Sequence, residues 1–204
     1  MEYVIVGLGN PGEEFENTRH NIGRQTVESL AEKWGTSDWR DDKKLRAKIS
    51  KGMCGKHKVT LVLPDNYMNR SGASVAPFVK NKKQAERLIV VHDDIDIGLG
   101  LMKIVFNRGD GGHNGVLSIQ RSIKTKEYTR VRVGVIPMSP KGKLRKPKGE
   151  KKVYDFILKK LAKKDLPEVE KAVKRAMGAV EMIIEKSRTL AMCEYNGTTL
   201  KNKK

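Results

Sequence analysis

The sequence predicts an α/β protein. Short β-rich runs alternate along the chain with stretches of helical periodicity, which is the signature of that class. The first run, residues 3–6, is of the fully buried kind and ends in a glycine turn. At 204 residues, 38% hydrophobic and 32% charged, the chain fits one globular domain that needs no disulfide or structural metal.

Taken in order, a strand over residues 3–6 is followed by a helix opening at Thr18. Thr18 is placed as its N-cap, with Ile22, Val27, Leu30, Ala31 and Trp34 on one face. Residues 45–51 and 58–63 read as two strands joined by a glycine turn over 52–55. A second helix begins after Ser71, and residues 88–91 form a short apolar run suited to a central strand. Residues 101–106 and 131–136 alternate as further strands, and a helix between them starts near Asn114 and runs through Leu117 to Ile123. Residues 141–152 (KGKLRKPKGEKK) carry seven basic residues and one acid, which predicts a mobile, solvated loop. Asp165 and Glu168 stand at capping-box spacing before an apolar stripe of Val169, Val173, Ala176, Val180 and Ile184. Residues 201–204 are expected to be disordered.

Composition narrows the function. With 42 Lys and Arg against 24 Asp and Glu, the formal charge is +18, beyond the ~2–8 that solubility asks of a small domain. Such a surface attracts polyanions, and nucleic acid is the commonest kind. Only 5% of residues are aromatic, so backbone and shape recognition fits better than a stacking platform. No apolar run reaches the ~20 residues of a membrane span, and the first residues lack the basic region of a secretion signal. Cys54 and Cys193 belong to no C-x-x-C motif, which points to the cytoplasm.

Several short motifs carry chemistry. Gly7 to Gly12 (GLGNPG) matches a dinucleotide pattern, but Pro11 and the acids Glu13 and Glu14 stand where a helix and a phosphate belong. A tight turn that aims Asn10 at a cleft beyond the strand is the better account. His20 sits at a predicted helix start, where the dipole favours the neutral imidazole that a general base needs. His92, Asp93, Asp94 and Asp96 form an acid cluster after an apolar run, and Gly109–Gly112 lead through His113 into a helix. An acid beside a histidine sets its tautomer and stabilises the imidazolium. Asp93, Asp94 and Asp96 with a histidine would alternatively suit a divalent ion, although no zinc-type spacing is present.

In their order and spacing, these stretches resemble the bacterial-type peptidyl-tRNA hydrolase family. The matching pieces are Val6 to Gly12, Thr18 to Gly23, Tyr67 to Gly72, His92 to Asp96 and Gly111 to Gly115, with Ala191-Met192 and Tyr195-Asn196 near the end. The resemblance implies a single-domain sandwich, a mixed central sheet between helices, working as a monomer on peptidyl-tRNA without cofactor, metal or membrane. It implies a catalytic domain over residues 1–190, a lysine-rich loop or lid over 139–152 and a tail over 191–204. It implies that His20 activates water and is held by Asp93, and that Asn10, Tyr67, Asn69, His113 and Asn114 bind substrate. Lys103, Arg132, Lys141, Lys143 and Arg145 are the expected contacts to tRNA. Two departures stand out: Leu63-Pro64-Asp65-Asn66 replaces the family's usual approach to the Tyr-Met-Asn motif, and Val105 stands where many members carry a basic residue. A non-catalytic RNA-binding relative of the same fold is the main alternative, with a metal-dependent hydrolase behind it.

Overall fold

Strands that are apolar on both faces belong in the middle of a covered sheet, because alternate residues point to opposite sides. The computed structural model, which describes residues 1–197, builds that arrangement. The elements are β1 (Glu2–Gly7), α1 (Ile22–Trp34), β2 (Arg40–Asp42), β3 (Ala47–Cys54), β4 (His57–Pro64), α2 (Ser71–Val75) and α3 (Lys82–Ala85). They continue with β5 (Leu88–Gly98), β6 (Met102–Phe106), α4 (Asn114–Ile123), β7 (Thr129–Ile136), α5 (Glu150–Leu158), α6 (Leu166–Glu185) and α7 (Arg188–Gly197).

The strands form one sheet in the order β2-β3-β4-β1-β5-β7-β6. The centre is parallel (β4-β1-β5-β7), and the pairs at either side, β2-β3-β4 and β7-β6, are antiparallel. Period-two alternation sorts the core. Ile5, Leu61, Leu63, Ile89 and Val91 face a layer made by α1 and α6. Their neighbours Val6, Val62, Leu88 and Val90 face Val75, Val116 and Ile119 of α2 and α4. The mixed sheet between helix layers agrees with the expected α/β sandwich. Among the described residues, no helix is long and apolar enough to cross a membrane.

Several local expectations change. Thr18 does not cap a helix with its side chain; its hydroxyl donates to the Phe15 carbonyl at 2.7 Å, and a 3-10 turn over Arg19–Asn21 precedes α1. The capping box before α6 does not form, because the Asp165 carboxylate is drawn to Arg19 at 3.2 Å. β5 runs on through the acid cluster to Gly98, since pairing with β7 through Asp94 carries the strand past its apolar run.

Residues 141–152, expected to be a mobile loop, fold as two parts. A bridge between Met138 and Leu144 closes a turn, in which Ser139 N donates to Lys143 O at 2.8 Å, and α5 then begins at Glu150. The lysines masked the helical spacing of Val153, Phe156 and Ile157. α7 crosses the boundary drawn at residue 190 and seals the β6 edge: the Asn196 amide accepts from Ile104 N at 2.8 Å and donates to Ile104 O at 2.9 Å. The expected disorder of residues 201–204 lies outside the described residues.

Candidate active site

In a parallel sheet, ligands gather beyond the carboxyl ends of the strands. Here β1 ends beside the middle of β5, with Leu8 N donating to Val91 O at 3.0 Å. The start of α1 is pulled onto the same point, where Arg24 N donates to Leu8 O at 3.0 Å. Gly23 permits that approach, because a β-carbon there would collide with the carbonyl of Val91. The 3-10 turn carrying His20 is thereby set over Asp93 of β5, although 73 positions separate them in sequence.

Asp93 is 2% exposed, and its Oδ1 accepts two hydrogen bonds, from His20 Nδ1 at 2.9 Å and His113 Nε2 at 2.9 Å. Burial acts to raise the pKa of this carboxyl. The charge and N–H groups of His20 and His113 outweigh it and hold Asp93 well below the usual carboxylate range. Asp93 is therefore an anion throughout the physiological range.

Hydrogen bonds assign the tautomers. His113 is the N-cap of α4: its Nδ1 accepts from Gly115 N at 3.2 Å and Val116 N at 3.4 Å, so the proton must sit on Nε2, facing Asp93. Glycines 111 and 112, with φ of 68° and 79°, make the turn that delivers this ring. His20 donates through Nδ1 to the carboxylate, which leaves the Nε2 lone pair for the cleft. Behind them lies His92, fully enclosed, its ring 4.6 Å from that of His113. Its Nδ1 donates to the Asp93 carbonyl at 2.7 Å, and its Nε2 faces Arg130 at 3.5 Å. Burial, then His113 and Arg130, lower the His92 pKa well below the histidine norm, so His92 stays neutral. Arg130 also holds the carbonyls of Gly109 and Asp110 at 2.5 and 3.4 Å, bracing the loop that leads to His113.

Three amides line the cleft with His20. The Asn10 backbone is gripped by Asn21, through Asn10 N to Asn21 Oδ1 and Asn21 Nδ2 to Asn10 O, both 2.9 Å. Asn10 Oδ1 accepts from Met68 N at 2.9 Å, which fixes the turn before Asn69 and directs the remaining N–H₂ group to the cleft. Asn69 stands in a 3-10 turn over Met68–Arg70, and Asn114 is the first residue of α4. With Tyr67, all seven residues expected to act in catalysis or substrate binding line one cleft of about 420 Å³. None of the five basic residues lines it; they sit on β6, β7 and the 138–149 turn.

Val153, Tyr154 and Ile157 of α5 also line the cleft and were missed in the sequence, as was the bracing by His92 and Arg130. The only sequence signal for the former was apolar spacing inside a lysine run.

Asp94 and Asp96 do not join Asp93 in a metal set: Asp94 pairs with Arg132 and Asp96 with Lys146, both at 2.6 Å. His20, Asp93 and His113 do place ligand atoms within 4.8 Å of one another. Yet His113 Nε2 can ligate only by losing its proton while Nδ1 still caps α4, and a neutral imidazole has only one unprotonated nitrogen. The donor set suits a proton-transfer network better than a cation.

The chain matches the peptidyl-tRNA hydrolase family model over residues 4–203. It is 34% identical over 194 residues to a peptidyl-tRNA hydrolase of Bacillus cytotoxicus, covering 95% of this chain and 98% of the relative. A peptidyl-tRNA hydrolase of Mycobacterium marinum is 35% identical over 183 residues, 89% of this chain and 91% of the other. The crystal structure of peptidyl-tRNA hydrolase from Acinetobacter baumannii superposes with a TM-score of 0.84 at 33% identity, covering 95% of this chain and 94% of that one.

Proposed function

The chain belongs to the peptidyl-tRNA hydrolase family, and on that premise we propose that it cleaves the peptidyl ester by water held and deprotonated by His20. The observation that carries the role of His20 is its Nδ1 bond to the ionised Asp93, which leaves Nε2 as a base open to the cleft. Water bound at Nε2 attacks the ester carbonyl and its proton passes to the imidazole. The resulting imidazolium is stabilised by Asp93 and returns the proton to the departing ribose oxygen as the C–O bond breaks. The products are a free peptide and a reusable tRNA.

Amide N–H groups of Asn10, Asn69 and Asn114 orient the substrate and stabilise the oxyanion; Tyr67 and His113 complete the substrate side. General-base assistance gives ~10²–10⁴-fold, and oriented donors add a comparable factor. An ester is more reactive than an amide, so no nucleophilic side chain is required. The intact site disfavours a non-catalytic RNA-binding role.

The tRNA is held by Lys103, Arg132, Lys141, Lys143 and Arg145. Lys103 lies opposite Arg132 in the β6-β7 register, which puts both on one face of the sheet. Val105, opposite Arg130, is buried, so any grip at this edge falls to Lys103 and Arg132. The enzyme acts as a monomer in the cytoplasm. The decisive assay is release of deacylated tRNA from an N-blocked aminoacyl-tRNA, wild type against His20→Ala, with and without chelator. Unchanged turnover in His20→Ala rules out His20 as the base.

A further inference from the structure

The turn that carries His20 is fastened to α5 by a side chain that the chemistry leaves unused. Arg19 is buried, and its guanidinium reaches the segment just after α5. One terminal nitrogen donates to the carbonyls of Lys159 and Lys160 at 3.2 and 3.3 Å, and the other to Asp165 Oδ2 at 3.2 Å. The guanidinium carbon lies 4.4 Å from the centre of the Phe156 ring, within α5 itself. Backbone contacts complete the staple: Leu161 N donates to Asn17 O at 2.8 Å, and Thr18 and Lys160 form an antiparallel bridge.

α5 depends on that staple. It has nine residues, none of them fully buried, so neither its length nor its packing fixes it in place. Its other end hangs from a turn in which Gly142 and Gly149 have φ of 75° and 90°. No side chain caps it there. The helix nonetheless supplies Val153, Tyr154 and Ile157 to the same cleft as His20.

We propose that Arg19 is a positioning residue for the peptide side of the cleft. By clamping the end of α5 it sets the wall that Val153, Tyr154 and Ile157 add to the His20 cleft, and so gives the enzyme a preference for an apolar side chain next to the scissile ester. This rests on the peptidyl-tRNA hydrolase reading.

The test compares N-acetyl-leucyl-tRNA with N-acetyl-glycyl-tRNA, for wild type and Arg19→Gln, alongside hydrogen exchange. Wild type is expected to favour the leucyl ester by about tenfold in kcat/KM, the scale at which an apolar pocket discriminates. Arg19→Gln should raise KM for the leucyl ester about tenfold and leave the glycyl KM within about twofold, the mark of lost uniform binding. The pH profile of kcat should not move, and amides of residues 150–161 should exchange faster. Equal losses on both esters, or an unaltered preference, overturn the proposal. Wild-type turnover without leucyl preference counts against this inference alone, whereas wild-type inactivity on both esters sinks the hydrolase reading as well. Should Arg19→Gln fail to fold, Asp165→Asn at the outer end of the bridge should lose part of the same preference, about threefold. Full preference in Asp165→Asn despite faster α5 exchange is the opposing result.

Discussion

The Asp93 stretch of β5 and the lysine-rich flank over residues 138–161 lie beside the same cleft, yet they are built in opposite ways. Around Asp93 the charged groups are buried and each hydrogen bond restricts the next, so tautomer, orientation and ionisation follow from geometry. Along the flank the charges are exposed; the Lys146–Asp96 pair, at 41% and 56% side-chain exposure, is the kind of contact that contributes ~0–1 kcal/mol. Single substitutions should therefore act sharply in the first region and diffusely in the second.

The largest effect is expected from His20→Ala: turnover should drop by roughly 10²–10⁴-fold with tRNA affinity nearly intact, as single-turnover kinetics and filter binding would show. Asp93→Asn should follow, at about a hundredfold, because the neutral amide does not stabilise an imidazolium as a carboxylate does. A normal rate there would erase the contrast between the two regions.

Smaller still is the loss expected from His113→Ala. It should destabilise the fold by ~1–2 kcal/mol, since α4 loses its cap, and lower turnover by about tenfold. Unchanged denaturant midpoint and rate would show that the cap carries neither.

Stability should also depend on pH with a definite sign. The folded pKa of His92 lies well below its unfolded value of about 6.5, so its contribution is complete above that pH and erodes as acid protonates the unfolded chain first. Asp93, also lowered on folding, contributes fully above about pH 4 and loses its contribution below. His92→Gln should flatten the dependence of Tm between about pH 6.5 and 4 and leave the more acidic loss in place. An equal slope in the variant would remove His92 from the account.

The smallest effects belong to the flank. Neutralising Lys141, Lys143 and Arg145 together should weaken tRNA binding several-fold and reduce the salt slope by about one per lost phosphate contact, with kcat unchanged. A hundredfold loss of kcat from that triple variant would mean that the flank takes part in the chemistry after all.

Much of this was legible in the sequence, and what was legible has a common character. A buried apolar run announced β1, alternation announced β6 and β7, and the stripe from Val169 to Ile184 announced α6, because burial leaves a local pattern. Motif order marked His20, Asp93 and the asparagines. What escaped were features whose partners are distant. Asp165 looked like a helix cap until Arg19, 146 positions away, claimed its carboxylate. α5 was hidden because its solvent face is lysine-rich and its apolar residues pack on a cleft rather than in the core.

The sequence by itself determined the α/β class, the basic charge, and the motifs whose residues line the cleft, since these depend on composition, periodicity and short spacing. Only the tertiary structure decided that His20 meets Asp93, which His113 nitrogen holds the proton, and that Arg19 ties α5 to the turn carrying His20. Each of those depends on a side-chain contact made by the packing of distant segments, and no local pattern encodes it.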